Sequence, residues 1–131
     1  MTIKPSIAVI DNDESVREAT TGLLRSLGFI TKGFASANEF LDSNRALITS
    51  CIIADVQMPE ISGLALYGQL IAAGHPIPTI LITAYPDDAI RERALNAGVV
   101  AYLVKPFSEK ELLDSIETAT KHKALLAPVK R

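Results

Sequence analysis

The chain has one cysteine, two histidines and no apolar run near the roughly 18 residues that a membrane-spanning helix needs. Cys51 has no partner for an internal disulfide, and its apolar flanks mark it as an inert buried thiol. His75 stands beside Pro76 in a loop and His122 in a basic tail, so with one distant cysteine no zinc site is expected. A strong charge excess is missing as well. Thirteen Lys and Arg against 15 Asp and Glu leave a formal net charge of −2, which advertises neither nucleic acid nor an anionic membrane as a partner. No basic, apolar leader opens the sequence and no low-complexity segment interrupts it, so a cytoplasmic protein is expected.

What is present suits one domain able to bury a core: 131 residues, 48% hydrophobic and 21% charged. Five short apolar runs recur, "SIAVID" at 6–11, "FITKGF" at 29–34, "CIIADV" at 51–56, "PTILIT" at 78–83 and "VVAYLV" at 99–104. Between the first two, Val16, Ala19, Leu23, Leu24 and Leu27 mark one helical face. Ser36-x-x-Glu39 and Ser108-x-x-Glu111 fit capping boxes, and Pro86 before Asp87 and Asp88 suits another helix start. "LGF", "AGH" and "AGV" place Gly28, Gly74 and Gly98 where a helix end needs a left-handed residue. Regular alternation of strand and helix predicts βα units around a parallel sheet. The third and fourth runs read as central strands, while Thr31 and Lys32 give the second the look of an edge. The expected architecture is α/β: a flavodoxin-like (βα)5 three-layer sandwich with five parallel strands in the order 2-1-3-4-5. It occupies residues 1–121, and "HKALLAPVKR" at 122–131 reads as a basic tail or the start of an inter-domain linker.

Open parallel sheets bind ligands beyond the carboxyl ends of their strands, where strand order reverses. The first run ends in Asp11-Asn12-Asp13, the third in Asp55, the fourth in Thr83 and the fifth in Lys105, whereas the second ends without charge. Each alone has a plain reading: a solvated loop carboxylate for Asp55, a capping hydroxyl for Thr83, a surface lysine for Lys105, helix caps for Asp11 and Asp13. In the order 2-1-3-4-5 the four polar ends become neighbours and converge on one pocket. Oxygen ligands at strand ends suit a hard cation such as Mg²⁺. A carboxylate beside it can attack phosphorus to give an acyl phosphate, a transfer that needs mainly positioning and charge neutralisation.

At these residues the sequence resembles the receiver domain of two-component response regulators. The matching pieces are "VIDND" (9–13), "DVQMPEISG" (55–63), "TA" (83–84) and "KPF" (105–107), in the order of that family. "DESVREA", "GFASANEF" and "KPFSEKELLDSI" resemble the nitrogen-fixation FixJ type, whose receivers usually precede a DNA-binding helix-turn-helix. The resemblance implies Asp55 as the phosphoacceptor, taking a phosphoryl group from the phosphohistidine of a sensor histidine kinase. It implies Asp11 and the backbone carbonyl of Gln57 as Mg²⁺ ligands beside Asp55, Lys105 as a contact to the phosphoryl group, and a cis peptide before Pro106. Thr83 and Tyr102 would be the switch residues. The face of the fourth helix, fifth strand and fifth helix would then dimerise or engage an output, with transcription as the regulated process.

One departure stands out. The family usually carries two adjacent acids where this chain has Asp11-Asn12. Asn12 still offers a neutral carbonyl oxygen, but one charge is gone, so weaker Mg²⁺ binding is expected, on the order of tenfold or more. Asp13 is a further candidate ligand, against the plainer reading of a helix cap. Gln57 and Tyr85 occupy positions that flank the path of attacking water in the family, where bulk would lengthen the life of the phosphorylated state. Two other readings remain: a pseudo-receiver acting as a constitutive protein-interaction module because Asn12 spoils the metal site, and a Mg²⁺-dependent phosphohydrolase. The latter lacks a second acid near Asp55 and room for a cap domain. The domain is therefore not expected to act as an enzyme on other substrates, and direct DNA binding would need an output domain on a longer chain.

Overall fold

The computed structural model describes residues 5–126. Five strands, β1 (Ser6–Ile10), β2 (Ile30–Phe34), β3 (Cys51–Asp55), β4 (Thr79–Thr83) and β5 (Ala101–Val104), alternate with five helices. The helices are α1 (Glu14–Ser26), α2 (Ala37–Asp42), α3 (Gly63–Ala72), α4 (Asp88–Ala97) and α5 (Glu109–Leu126). All strand pairs are parallel and the order is β2-β1-β3-β4-β5, as expected. The edge position expected for the second strand is where β2 lies.

Alternation along each strand divides the core between two layers. Ile7 and Val9 of β1, Cys51 and Ile53 of β3, and Ile80 and Ile82 of β4 face Leu24 of α1 and Leu112, Ile116 and Ala119 of α5. The intervening Ala8, Ile10, Ile52, Ala54 and Leu81 face Ala37 and Phe40 of α2, Leu66, Tyr67 and Leu70 of α3, and Ala94 of α4. Both central strands, β3 and β4, are buried along their whole length, so each Ile and Leu side chain there contributes about 1.5–3 kcal/mol of burial.

The helix boundaries follow from their caps. Asp13, Ser36, Ser62 and Asp87 each accept a backbone N–H from the first turn of the following helix. At α5 the capping box is reciprocal: the Ser108 N–H donates to Glu111 Oε1 and the Glu111 N–H to Ser108 Oγ, both at 3.0 Å. Gly28, Gly74 and Gly98 close α1, α3 and α4 with φ of 94°, 83° and 112°. A single 3₁₀ turn, Ala46–Ile48, has no counterpart in the sequence reading. Helix α5 continues to Leu126, into the segment read from sequence as a tail, while 127–131 lie outside the described residues.

Candidate functional site

The strand order brings Asp11, Asp55, Thr83 and Lys105 together at the carboxyl end of the sheet, from β1, β3, β4 and β5 in turn. Asp11 is fully buried and Asp55 nearly so, each following an apolar strand. Between their carboxylates sits the Lys105 ammonium, 2.8 Å from Asp55 Oδ2 and 3.2 Å from Asp11 Oδ2. The other oxygen of each carboxylate takes a main-chain donor: the Gln57 N–H at 2.8 Å on Asp55 Oδ1 and the Asp13 N–H at 2.9 Å on Asp11 Oδ1. Lys105 is placed by its own N–H, which donates to the Thr83 carbonyl at 2.8 Å, and the peptide bond from Lys105 to Pro106 is cis.

The electrostatics follow from burial and proximity. Burial pushes the Asp11 carboxyl above its ordinary range, with the Asp55 charge adding, and the Asp13 N–H and Lys105 offset this only in part. Burial also works against the Lys105 ammonium, but Asp55 and Asp11 together outweigh it and hold the lysine above its usual value. The two acids thus hold the lysine between them in its charged form.

Asn12 and Asp13 are exposed, and the Asp13 carboxylate accepts the Val16 N–H at 3.2 Å, the capping role that the sequence also allowed. Among the described residues no three carboxylates, histidines or cysteines stand grouped to hold a metal. The candidate ligands brought together are nevertheless oxygens, those of the two carboxylates, both with lone pairs to spare. That set fits a hard divalent cation such as Mg²⁺, which accepts few protein ligands and fills its remaining positions with water or phosphate oxygens.

Thr83 is fully buried; its Oγ1 donates to Gln57 Oε1 at 2.7 Å and accepts the Tyr85 N–H at 2.9 Å. Tyr85 itself is 74% exposed. Tyr102 packs partly against the α2–α3–α4 side of the core, and its hydroxyl accepts the Asp87 N–H at 3.1 Å where α4 begins.

Two contributors escape the sequence reading. Arg17 on the first turns of α1 donates from a guanidinium nitrogen to the Asp11 carbonyl at 2.7 Å, and its stem runs over Gly33 of β2, where a Cβ would stand 3.1 Å from Arg17 Cγ. No local pattern signals this pairing, which depends on side-chain reach from α1 to β2. Gly63, the first residue of α3, lies so near the β3 end that an added Cβ would stand 2.6 Å from the Asp55 carbonyl oxygen.

Known proteins share this fold. Residues 7–117 match the response regulator receiver domain. The chain is 41% identical over 125 residues to the response regulator protein TodT of Pseudomonas putida, which covers 95% of this chain and 53% of TodT. The chain spans about half the length of the curated relatives it matches. Among solved structures, the response regulator StyR superposes with a TM-score of 0.86 at 41% identity, over 94% of this chain and 62% of that one. The structure titled FixJ-N gives 0.83 at 30% identity, over 92% and 97%. The likeness to the FixJ type is thus shared with other regulators, and at the level that sequence, fold and motif register have in common, the chain belongs to the response regulator receiver domain family.

Proposed function

We propose that this domain, residues 1–121, is a phosphorylation-switched signalling receiver whose acceptor is Asp55. The observation that carries the reading is the Lys105 ammonium held between the Asp55 and Asp11 carboxylates at 2.8 and 3.2 Å, beside the buried Thr83 hydroxyl. In the transfer, the P–N bond of a sensor kinase's phosphohistidine breaks as a P–O bond to an Asp55 oxygen forms, and the electron pair returns to the imidazole. Lys105 neutralises the phosphoryl oxygens and Thr83 donates a hydrogen bond to one of them. Asp11, Asp55 and the Gln57 carbonyl, with Asn12 as a neutral oxygen donor and Asp13 nearby, would hold Mg²⁺, which supplies further charge neutralisation. Catalysis is confined to the domain's own phosphorylation and dephosphorylation.

The added phosphoryl group carries a charge of about −1.5 to −2 and three strong acceptor oxygens, enough to bias a two-state loop. Movement of Thr83 would release the β4–α4 segment, and Tyr102, which now ties the start of α4 through its hydroxyl, would turn inward with it. The α4–β5–α5 face so remodelled controls dimerisation or an output. An output domain beyond the 122–131 segment, acting in transcription, accords with relatives such as the transcriptional regulatory proteins FixJ and TdiR.

Intact mass after incubation with a small-molecule phosphodonor tests this. A Mg²⁺-dependent phosphoryl adduct in the wild type, absent in Asp55→Asn, is the expected result. The exposed Asn12, standing where a second acid is usual, favours one other reading, a pseudo-receiver that binds partners constitutively. Failure of both the phosphodonor and a histidine kinase to modify Asp55 at high Mg²⁺ would sink the first reading in favour of the second.

A further inference from the structure

We propose that the Gln57 side chain is a latch on the switch: its carboxamide oxygen holds the one proton of the Thr83 hydroxyl, so Thr83 reaches a phosphoryl group on Asp55 only when Gln57 lets go. The inference rests on the reading of Asp55 as the phosphoacceptor.

A threonine hydroxyl has a single proton to donate. In the free protein that proton points to Gln57 Oε1 at 2.7 Å, while the hydroxyl oxygen accepts the Tyr85 N–H at 2.9 Å. Thr83 is fully buried, so water can reach this bond only from the exposed Gln57 side. A phosphoryl oxygen and the Gln57 carboxamide are both acceptors, and they exclude each other at that proton. Gln57 is also the residue whose N–H binds Asp55 Oδ1 at 2.8 Å, so one residue touches the acceptor through its main chain and the switch hydroxyl through its side chain.

Release has a path. Gln57 is exposed overall and lines an open groove of about 530 Å³ with Val56, Met58, Ile90 and Arg93, into which the carboxamide can swing. The exchange favours the phosphorylated state, because a hydrogen bond to an ionised acceptor is roughly twice as strong as a neutral one. Before phosphorylation the latch holds the resting conformation and lowers the fraction of chains ready to bind a phosphoryl group.

The test uses beryllium trifluoride with Mg²⁺ as a stand-in for the phosphoryl group, titrated into wild type, Gln57→Met, Thr83→Ala and the double variant. Methionine keeps the length of the side chain, the Gln57 carbonyl and its N–H, and removes only the acceptor. Gln57→Met should tighten apparent affinity about two- to tenfold, the worth of one neutral hydrogen bond. In the Thr83→Ala background the same substitution should change nothing. No tightening, or equal tightening in both backgrounds, overturns the latch. A second measurement needs no phosphate analogue: the deuterium isotope shift on the Thr83 Cβ in mixed H₂O and D₂O. Separate signals in the wild type that merge in Gln57→Met support a held hydroxyl proton, and the same pattern in both proteins refutes it. If the wild type takes no beryllium trifluoride, the phosphoacceptor reading fails, and the isotope measurement still decides the latch.

Discussion

Gly63→Ala and Gly68→Ala, the same substitution five residues apart in one helix, should move stability in opposite directions. Neither glycine has positive φ, so alanine meets no backbone strain at either site. At Gly68 nothing lies within 4 Å of an added Cβ, and the exposed helix interior gains about 0.8–1 kcal/mol from the better helix former. At Gly63 the Cβ would stand 2.6 Å from the Asp55 carbonyl oxygen and 2.8 Å from Leu81 Cδ2, well inside the ~3.5 Å at which carbon contacts are favourable. Leu81 is fully buried between packed layers, and the carbonyl belongs to the backbone at the end of β3, so neither can yield cheaply. Helix α3 would have to back away, stretching the Gly63 N–H bond to the Val56 carbonyl, now 3.2 Å. Overpacking of this kind costs about 1–3 kcal/mol. For a chain of this length, with about 4 °C of melting temperature per kcal/mol, Gly63→Ala should lower Tm by about 4–12 °C and Gly68→Ala should raise it by about 4 °C. Thermal melts followed by circular dichroism, checked by urea midpoints, read both. A Gly63→Ala protein as stable as wild type would refute the claim that the α3 start and the end of β3 are in obligatory close contact.

The remaining predictions concern charge and backbone. Asp11 titrates above its ordinary 3.8 in the folded chain, chiefly through burial, so the folded state binds this proton more tightly than the unfolded one. Its contribution to stability therefore falls as pH rises from 3.8 through the folded value, and in EDTA Asp11→Asn should raise the urea midpoint at pH 7, with the gain fading as pH drops below 3.8. A loss at pH 7, or a gain independent of pH, would contradict this. Gly98→Ala places a side chain at φ 112° and a Cβ 2.7 Å from the Tyr67 hydroxyl. It should destabilise by at least about 1–2 kcal/mol from the backbone alone, and adding Tyr67→Phe should recover only the steric part. Asn12→Asp should tighten Mg²⁺ on the order of tenfold by restoring a ligand charge, seen by isothermal titration; unchanged affinity would remove Asn12 from the metal site.

How much of this was legible in the sequence differs by feature, for a physical reason. The strands and their polar ends at Asp11, Asp55, Thr83 and Lys105 are written locally, as apolar runs ending in polar residues, and the expected order 2-1-3-4-5 is what makes those ends converge. The caps at Ser36, Asp87 and Ser108 and the glycine stops at 28, 74 and 98 are local too, each a residue type matched to one backbone need. What stayed hidden depends on side-chain reach across elements. Gln57 drew notice for its carbonyl and its bulk, but its bond to Thr83 spans 26 residues and depends on rotamer, which no local pattern encodes. Arg17 over Gly33 is of the same kind. The 3₁₀ turn at Ala46–Ile48 lacks both an N-terminal side-chain cap and a buried face, so it leaves no periodic signal.

On the receiver reading, the resting site is a competition among acceptors for few donors. Asp11 and Asp55 share the Lys105 ammonium, and Gln57 holds the Thr83 hydroxyl. A phosphoryl group on Asp55 would compete for the same donors, and the two respond differently. An ammonium has three protons and can serve the phosphoryl group while keeping Asp11, so Lys105 adjusts by degrees. A hydroxyl has one, so Thr83 must leave Gln57 entirely or stay. The threonine is then the all-or-none element, and the lysine supplies attraction without deciding the state. If Gln57 latches Thr83 as proposed, a neutral Asn12 would weaken the pull of the metal site on the phosphoryl group and leave the all-or-none step at Thr83 in place.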